Sequence, residues 1–414
     1  MMVNSIVDNL PEDWTIESME QVCSNFSMGP FGSDIKTSNF VSFGVPVIRG
    51  INLSIPPFLE AGFVFLTERK ADELKGANAF PNDLIFTHRG TLGQVGVIPA
   101  KGKFNRYVIS QSQMKCSCAP NVLDPMFAFY FFSSNIGRNM IFENSSDSGV
   151  PHIVQPLKSL RKFSIILPPY PEQLKISQTL FEISKLISTI ESLIQKKKNI
   201  KLGTIQELLT GKRKIEGFNA KWESEIIKNL VRITTGKSKS KFEDSNGEYL
   251  IMDMGSVSKE GKNISYKFTN NSEDLLEVGN IIMPKDDIGG GNIIGKTTVI
   301  DKNEKYVLGD HVYLLKTKNS RIIPKFLSYL INSYHVNKEI KSKVVGSAQL
   351  GLSKKNIEDI PLCFPSSIKE QTLMQDTLSD MDLEIESLQK QLIKYTQLKE
   401  GMMHNLLTGE IRLV

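Results

Sequence analysis

Apolar residues recur at Ile176, Leu180, Ile183, Ile187, Ile190 and Ile194, then again at Met374, Leu378, Met381, Ile385, Leu388 and Leu392. Both runs alternate spacings of four and three, the seam of a coiled coil rather than the wider stripe of a surface helix. A capping box, Ser367-x-x-Glu370, starts the second helix, and Pro171 suits the first turn of the other. Gly211 and Gly409 suit left-handed C-caps. A helix from 171 to 210 would be roughly 60 Å long at ~1.5 Å per residue. Gly203 and Gly401 fall inside the two patterns, where each costs about 1 kcal/mol relative to alanine. Their matched placement suggests close packing or a kink.

Outside these runs the pattern changes. Short β-branched segments such as Val45-Pro46-Val47-Ile48, Asp83-Leu84-Ile85-Phe86, Asn280-Ile281-Ile282-Met283 and Thr297-Thr298-Val299-Ile300 alternate with turn signals and predict strands. The Pro125-x-Phe-x-x-Tyr130 and Pro324-x-Phe-x-x-Tyr329 segments predict helices with an aromatic core face. The aromatic run Phe127–Phe132 could stack bases. Its counterpart Phe326–Ile331 is largely aliphatic, so core is the better reading of both.

The chain is one plan written twice. Glu172-Gln173 recurs as Glu370-Gln371, and Leu208-Leu209-Thr210-Gly211 as Leu406-Leu407-Thr408-Gly409, both at an offset of 198. Lys201 and Gly203 match Lys399 and Gly401 in the same ungapped block, while Trp14 and Trp222 open the two halves. A repeat of this length divides the 414 residues into domain, helix, domain, helix: 1–168, 169–215, 216–364 and 365–414. The expected fold is α+β, with two similar domains separated by two long helices in an antiparallel coiled coil, related by a pseudo-twofold internal repeat.

Charge sharpens the pairing. The first helix block is net +5, with its lysines crowded toward the C-terminus, and the second is net −3, with its acids crowded toward the N-terminus. An antiparallel pair brings these ends together and suits both helix dipoles. The domains themselves are net 0 and +3, so the overall +5 sits mostly on one helix and says little about a nucleic-acid partner. The longest apolar run, Met126–Phe132, is too short to span a bilayer, and the N-terminus has no secretory pattern. Four scattered cysteines form no disulfide framework or zinc spacing. Together these predict a cytoplasmic protein with reduced thiols, no metal and no membrane partner.

Two catalytic motifs are present in letters. Gly290-Gly-Asn-Ile-Ile-Gly295-Lys296-Thr297 matches a P-loop, but a β-prone run follows the lysine where a helix is needed. The first half has a similar glycine turn, Gly90-x-x-Gly93-x-x-Gly96, without the lysine. Leu167-Pro168-Pro169-Tyr170 is similar to the N/D-P-P-Y/F motif of amino-methyltransferases, with leucine where the polar acceptor belongs. No catalytic residue emerges, and a P-loop NTPase or amino-methyltransferase component stands as the alternative to a binding protein.

Loop residues that suit phosphates or base edges are Lys36, Arg49, His88, Arg89, Gln94 and Arg106 in the first half. The second half offers Lys237, Lys239, Lys241, Lys285, Asp286, Asp287, Asn292 and Lys296. Arginine or lysine can read guanine, asparagine or glutamine adenine, and aspartate can accept from cytosine. For most of these positions individually a solvated surface group is the simpler account.

Taken whole, the sequence resembles the specificity subunit of type I restriction–modification systems. The resemblance rests on the duplicated Glu-Gln…Leu-Leu-Thr-Gly helix blocks, the two tryptophans and the Asn82-Asp83-Leu84-Ile85 stretch with its glycine turn. It also rests on Gly29-Pro30-Phe31-Gly32-Ser33 and Val45-Pro46-Val47-Ile48-Arg49-Gly50. It implies a non-enzymatic subunit of a host-defence system that reads double-stranded DNA. Each target-recognition domain would read one half of a bipartite target, while the coiled coil sets the spacer and docks two methyltransferase subunits. Restriction subunits would join through the complex. S-adenosylmethionine, ATP and Mg²⁺ are implied for those partners alone, with no cofactor on this chain.

Overall fold

The computed structural model describes residues 10–146, 149–218, 220–346 and 349–413. The chain forms two compact units, Met1–Glu191 with Gln391–Val414, and Ser192–Lys390. Each unit holds one globular domain and a part of both long helices.

In the first unit, β1 (Thr15–Ser18), α1 (Met19–Val22), β2 (Cys23–Met28), β3 (Val45–Ile48), β4 (Val64–Leu66) and α2 (Glu68–Glu73) come first. They are followed by β5 (Asn78–Ala79), β6 (Asp83–Thr87), β7 (Val95–Val97), β8 (Tyr107–Ile109) and β9 (Gln113–Cys118). Two four-stranded sheets result, ordered β2-β9-β6-β7 and β4-β3-β8-β5. β3 and β8 run parallel, with Ile48 opposite Ile109; the other pairs are antiparallel. The helix α3 (Pro125–Ser133) packs on the first sheet, and α4 (Asn135–Glu143) packs against α3. Asp124 caps α3 by accepting from the Phe127 N–H at 2.8 Å, next to a proline in the first turn. Phe127 to Phe132 are all buried, so the aromatic run is core. The chain then passes β10 (Ser145–Ser146), β11 (His152–Ile153) and α5 (Pro156–Lys162) to β12 (Ser164–Leu167), which closes the domain against β1.

The long helix α6 (Tyr170–Leu208) starts three residues later. Past it the plan repeats. In β13 (Trp222–Ile226), α7 (Ile227–Leu230), β14 (Val231–Thr235), β15 (Tyr249–Met252) and β16 (Phe268–Thr269) the opening of the first domain recurs. Next come β17 (Ile281–Pro284), β18 (Asp286–Asp287), β19 (Thr298–Val299), β20 (Tyr306–Leu308) and β21 (Val312–Thr317). Sheet orders β14-β21-β17-β19 and β16-β15-β20 match the first domain strand for strand, including the parallel β15–β20 pair. The partner of β5 is reduced to one bridge, Leu275 with Val307. Helices α8 (Pro324–Asn332) and α9 (Tyr334–Ser342), β22 (Leu350–Gly351), α10 (Lys354–Glu358) and β23 (Pro361–Pro365) lead to the second long helix, α11 (Ile368–Thr408).

The two long helices run antiparallel. In the second unit, Lys197 Nζ meets Glu384 Oε1 and Lys201 Nζ meets Asp382 Oδ1, both at 2.6 Å, so one number rises as the other falls. These are the charge blocks that the sequence opposes. In the first unit, Ile176 and Leu180 share a core with Leu406 and Leu407. All twelve seam positions are buried or half-buried; Ile176, Leu180, Met374 and Leu378 also enter the cores of their domains. The repeated Glu-Gln explains how each helix is fixed to its domain. The Gln173 amide donates to Val122 O and Pro168 O and accepts from the Asp124 N–H; Gln371 makes the same three bonds to Arg321 O, Pro365 O and the Ile323 N–H, all at 2.9–3.0 Å.

Gly211 and Gly409 adopt φ of +69° and +78°, the left-handed turn expected after each helix. The expectation for Gly203 and Gly401 needs correction. A Cβ built on either would meet nothing within 4 Å, and both helices continue through them. Neither glycine marks close packing among the described residues, and neither interrupts its helix.

Candidate nucleic-acid interface

In the first domain the ends of β3, β6, β7 and β8 converge on a cleft of about 430 Å³. Arg49 follows β3, Thr87 ends β6, Arg89 lies just beyond it, Gln94 precedes β7, and Gln111 sits in the β8–β9 turn; all five line the cleft. Arg49 Nη2 donates to Gly62 O at 2.8 Å, and its buried Nε has no partner. The Gln94 Oε1 accepts from Thr87 Oγ1 at 3.2 Å, which leaves the amide nitrogen to donate. No carboxylate lines the cleft among the described residues.

The other first-half candidates divide. Lys36 is exposed and lies between Ile35 and Thr37, which line the cleft. His88 is only 6% exposed; its Nε2 pairs with Gln111 O at 3.1 Å and braces the turn from behind. Burial lowers its pKa, so the imidazole is neutral at pH 7. Arg106 lies away from the cleft and is engaged by Asn78, Glu68 and Asp72 at 2.6–3.2 Å, tying β8 to α2. That arrangement makes Arg106 a structural cation.

The second domain offers the same frame, traceable through backbone hydrogen bonds. Ser110 N–H donates to Ile48 O, and Gly309 N–H to Met252 O, both at 2.9 Å. His88 N–H donates to Ser112 O, and Lys285 N–H to His311 O, at 2.9 and 3.1 Å. Ile153 N–H donates to His88 O, and Leu352 N–H to Lys285 O, both at 2.8 Å. Arg49 therefore corresponds to Asp253, Arg89 to Asp286, Gln111 to Asp310 and Ser112 to His311. His311 Nδ1 pairs with Asp286 Oδ2 at 2.9 Å. That bond, with Asp310, Asp253 and the Asp286 charge, raises the His311 pKa against partial burial. Asp253, Asp310 and His311 were not picked out from sequence. Aligning the two halves on their strands, Val45–Arg49 against Tyr249–Asp253, is the signal that finds the first of them.

Around this frame Lys285 is half-buried with its ammonium 5.9 Å from the Tyr313 ring, while Lys237 and Lys241 are exposed after β14. Lys239 is 2% exposed and salt-bridged to Asp274 at 3.2 Å, so it holds the loop rather than facing solvent. Asn292 donates to Gly289 O at 3.1 Å, and Asp287 accepts from the Gly289 and Ile293 N–H groups.

The comparisons with known proteins decide what this duplicated frame belongs to. The sequence matches the family described as type I restriction modification DNA specificity domain twice, over residues 35–202 and 219–395. The chain belongs to this family. Among its relatives, the type I restriction enzyme MjaVIII specificity subunit of Methanocaldococcus jannaschii is 26% identical over 324 residues, 74% of this chain and 75% of that protein. The crystal structure of the type I restriction-modification system S subunit from M. genitalium superposes with a TM-score of 0.63 at 16% identity, over 96% of each chain. A chain from a structure of complex assembly and conformational transition of the type I R-M system superposes at 0.55 and 12% identity, over 97% of this chain and all of that one.

Two features of the second specificity domain lie outside the shared frame. Lys296 faces a groove of about 630 Å³ bounded by α8, the Lys259–Lys262 loop, the end of α6 and the middle of α11, together with five other lysines. Its ammonium donates to Asn332 O at 3.3 Å, and burial lowers its pKa. Thr297 is fully buried against Ser328, and a strand rather than a helix follows it. The P-loop letters therefore form a strand-to-strand turn with no phosphate cradle. Pro168 and Pro169 likewise serve the start of α6, where Pro168 O accepts from Gln173. No helix among the described residues is long and apolar enough to cross a membrane.

Proposed function

We propose that this chain is the DNA-recognition subunit of a type I restriction–modification complex. Each domain reads one half of a bipartite target, and the antiparallel helices hold the halves a fixed, unread distance apart. The subunit docks two modification subunits, with restriction subunits joining through that core. Methyl transfer with S-adenosylmethionine and ATP-driven steps with Mg²⁺ are the partners' chemistry, and this chain contributes no catalytic group. The observation that carries the reading is the conserved frame with different contents. Two domains share backbone bonds to within 0.2 Å, yet place arginines in one cleft and aspartates at the same positions of the other. Strand ends and loops tolerate variation in any fold, but a reader of two different half-sites requires it at these positions.

The test is an insertion of four residues at the same level in both long helices, assayed in the assembled complex by mapping methylated sites. The unread spacer should change length while both half-sites stay the same. An unaltered target from a correctly assembled complex would refute the role of the helices as a ruler.

A further inference from the structure

The charged side chains that line the first domain's cleft, Arg49 and Arg89, are both cations, with no carboxylate among the described lining residues. The Arg89 guanidinium is exposed and has no hydrogen bond or ion pair among the described residues. Arg49 has one nitrogen fixed on Gly62 O, and the Gln94 amide nitrogen is turned toward donation by the Thr87 bond. Val47, Ile35 and Phe40 form apolar parts of the wall. His88 behind the cleft is neutral and committed to Gln111 O. A ligand that meets both arginines therefore brings acceptors, on a body that can lie against the apolar wall. Of the four base pairs' major-groove edges, guanine alone offers two adjacent acceptors, N7 and O6, to a forked donor.

We infer that Arg89, with Arg49 and Gln94 beside it, reads a guanine in the half-site of the first domain, and that this contact has no equivalent in the second. At the corresponding positions Asp286 and Asp253 would repel that acceptor edge. The inference rests on the DNA-reading function proposed above and adds which edge the first domain recognises. A backbone phosphate is the other source of acceptors, and its contact would carry no sequence information.

The experiment uses the assembled complex with Arg89→Lys and Arg89→Ala, scored by binding and methylation across a library of half-site variants. Arg89 is exposed, so neither change threatens the fold. Arg89→Ala should lose discrimination at one guanine of the first half-site by about tenfold or more, and Arg89→Lys should recover only part of it, because lysine can still donate to guanine but lacks the rigid planar fork. Preference at every second-half position should be unchanged. Affinity lost evenly over all sequences in the alanine variant and restored by lysine would identify a phosphate contact and overturn the inference. Full discrimination in both variants would overturn it as well, while leaving the DNA-reading function intact. An unmutated complex without any sequence preference would remove both.

Discussion

Glu172 and Glu370 occupy the same position in the two copies of the long helix, are 4% and 2% exposed, and live in opposite electrostatic worlds. Arg412 donates to both Glu172 oxygens at 2.7 and 2.8 Å, the Trp14 Nε1–H donates at 3.1 Å and the Leu413 N–H at 3.0 Å. Burial alone would raise this carboxyl, but those donors outweigh it and hold its pKa below the usual glutamate value. At Glu370, one oxygen is buried without a partner, and Lys214 stands where Arg412 would. Burial dominates there and pushes the pKa up, with the Lys214 charge only softening the effect. A repeated letter thus preserves a position in the backbone plan without preserving its energetics. What differs is the forked donor, which arginine supplies in a fixed geometry and lysine does not.

The largest effect should come from Glu172→Ala. It leaves the Trp14 and Leu413 N–H groups without their acceptor and Arg412 with Asp13 alone, and should destabilise the first unit by about 3 kcal/mol at pH 7, read by denaturant unfolding. The pH dependence has a definite sign. A carboxylate with a lowered folded pKa contributes stability above its unfolded value, near 4.5, and that contribution is lost as pH falls through the folded value. The gap between wild type and variant should therefore narrow below about pH 4.5. A gap that stays constant into acid would show that the ionised carboxylate is not what matters.

Glu370→Gln should act in the other direction and more weakly. A carboxyl with a raised folded pKa loses stability as pH rises from about 4.5, and the penalty is complete above the folded value. Replacing it with a neutral amide should raise the stability of the second unit by about 1 kcal/mol at pH 7 and change little at pH 4. Destabilisation at neutral pH would mean that a donor serves the Glu370 carboxylate in solution.

The sequence made the helices legible because their signal is local and periodic. The seam spacing, the Ser367 start and the left-handed glycines all sit within a few residues of what they specify, and α6 spans 170–208 against an expected 171–210. The antiparallel orientation followed from charge, and Lys197–Glu384 and Lys201–Asp382 are its direct expression. Individual site residues were harder to read. Arg106 and Lys239 look like free loop cations in one dimension, and only the fold brings Glu68, Asp72 and Asp274 to them. Asp253 shows nothing in one dimension, and only its register with Arg49 places it in the frame. Strand pairing between residues more than fifty apart carries that information, and no periodicity exposes it.

Gly203 and Gly401 offer the smallest test and a control on the comparison. Unlike the two glutamates, they have the same surroundings in both copies, since an added Cβ meets nothing within 4 Å at either position. Both also lie within continuous helix, where glycine loses more conformational freedom on folding than alanine does. Gly203→Ala and Gly401→Ala should each stabilise the protein by roughly 0.5–1 kcal/mol, with equal effects at the two sites. The double variant should show the sum, because nothing couples open surface positions. A gain at one site and a loss at the other would mean that one helix bends at its glycine, so that the two copies differ there as they do at the two glutamates.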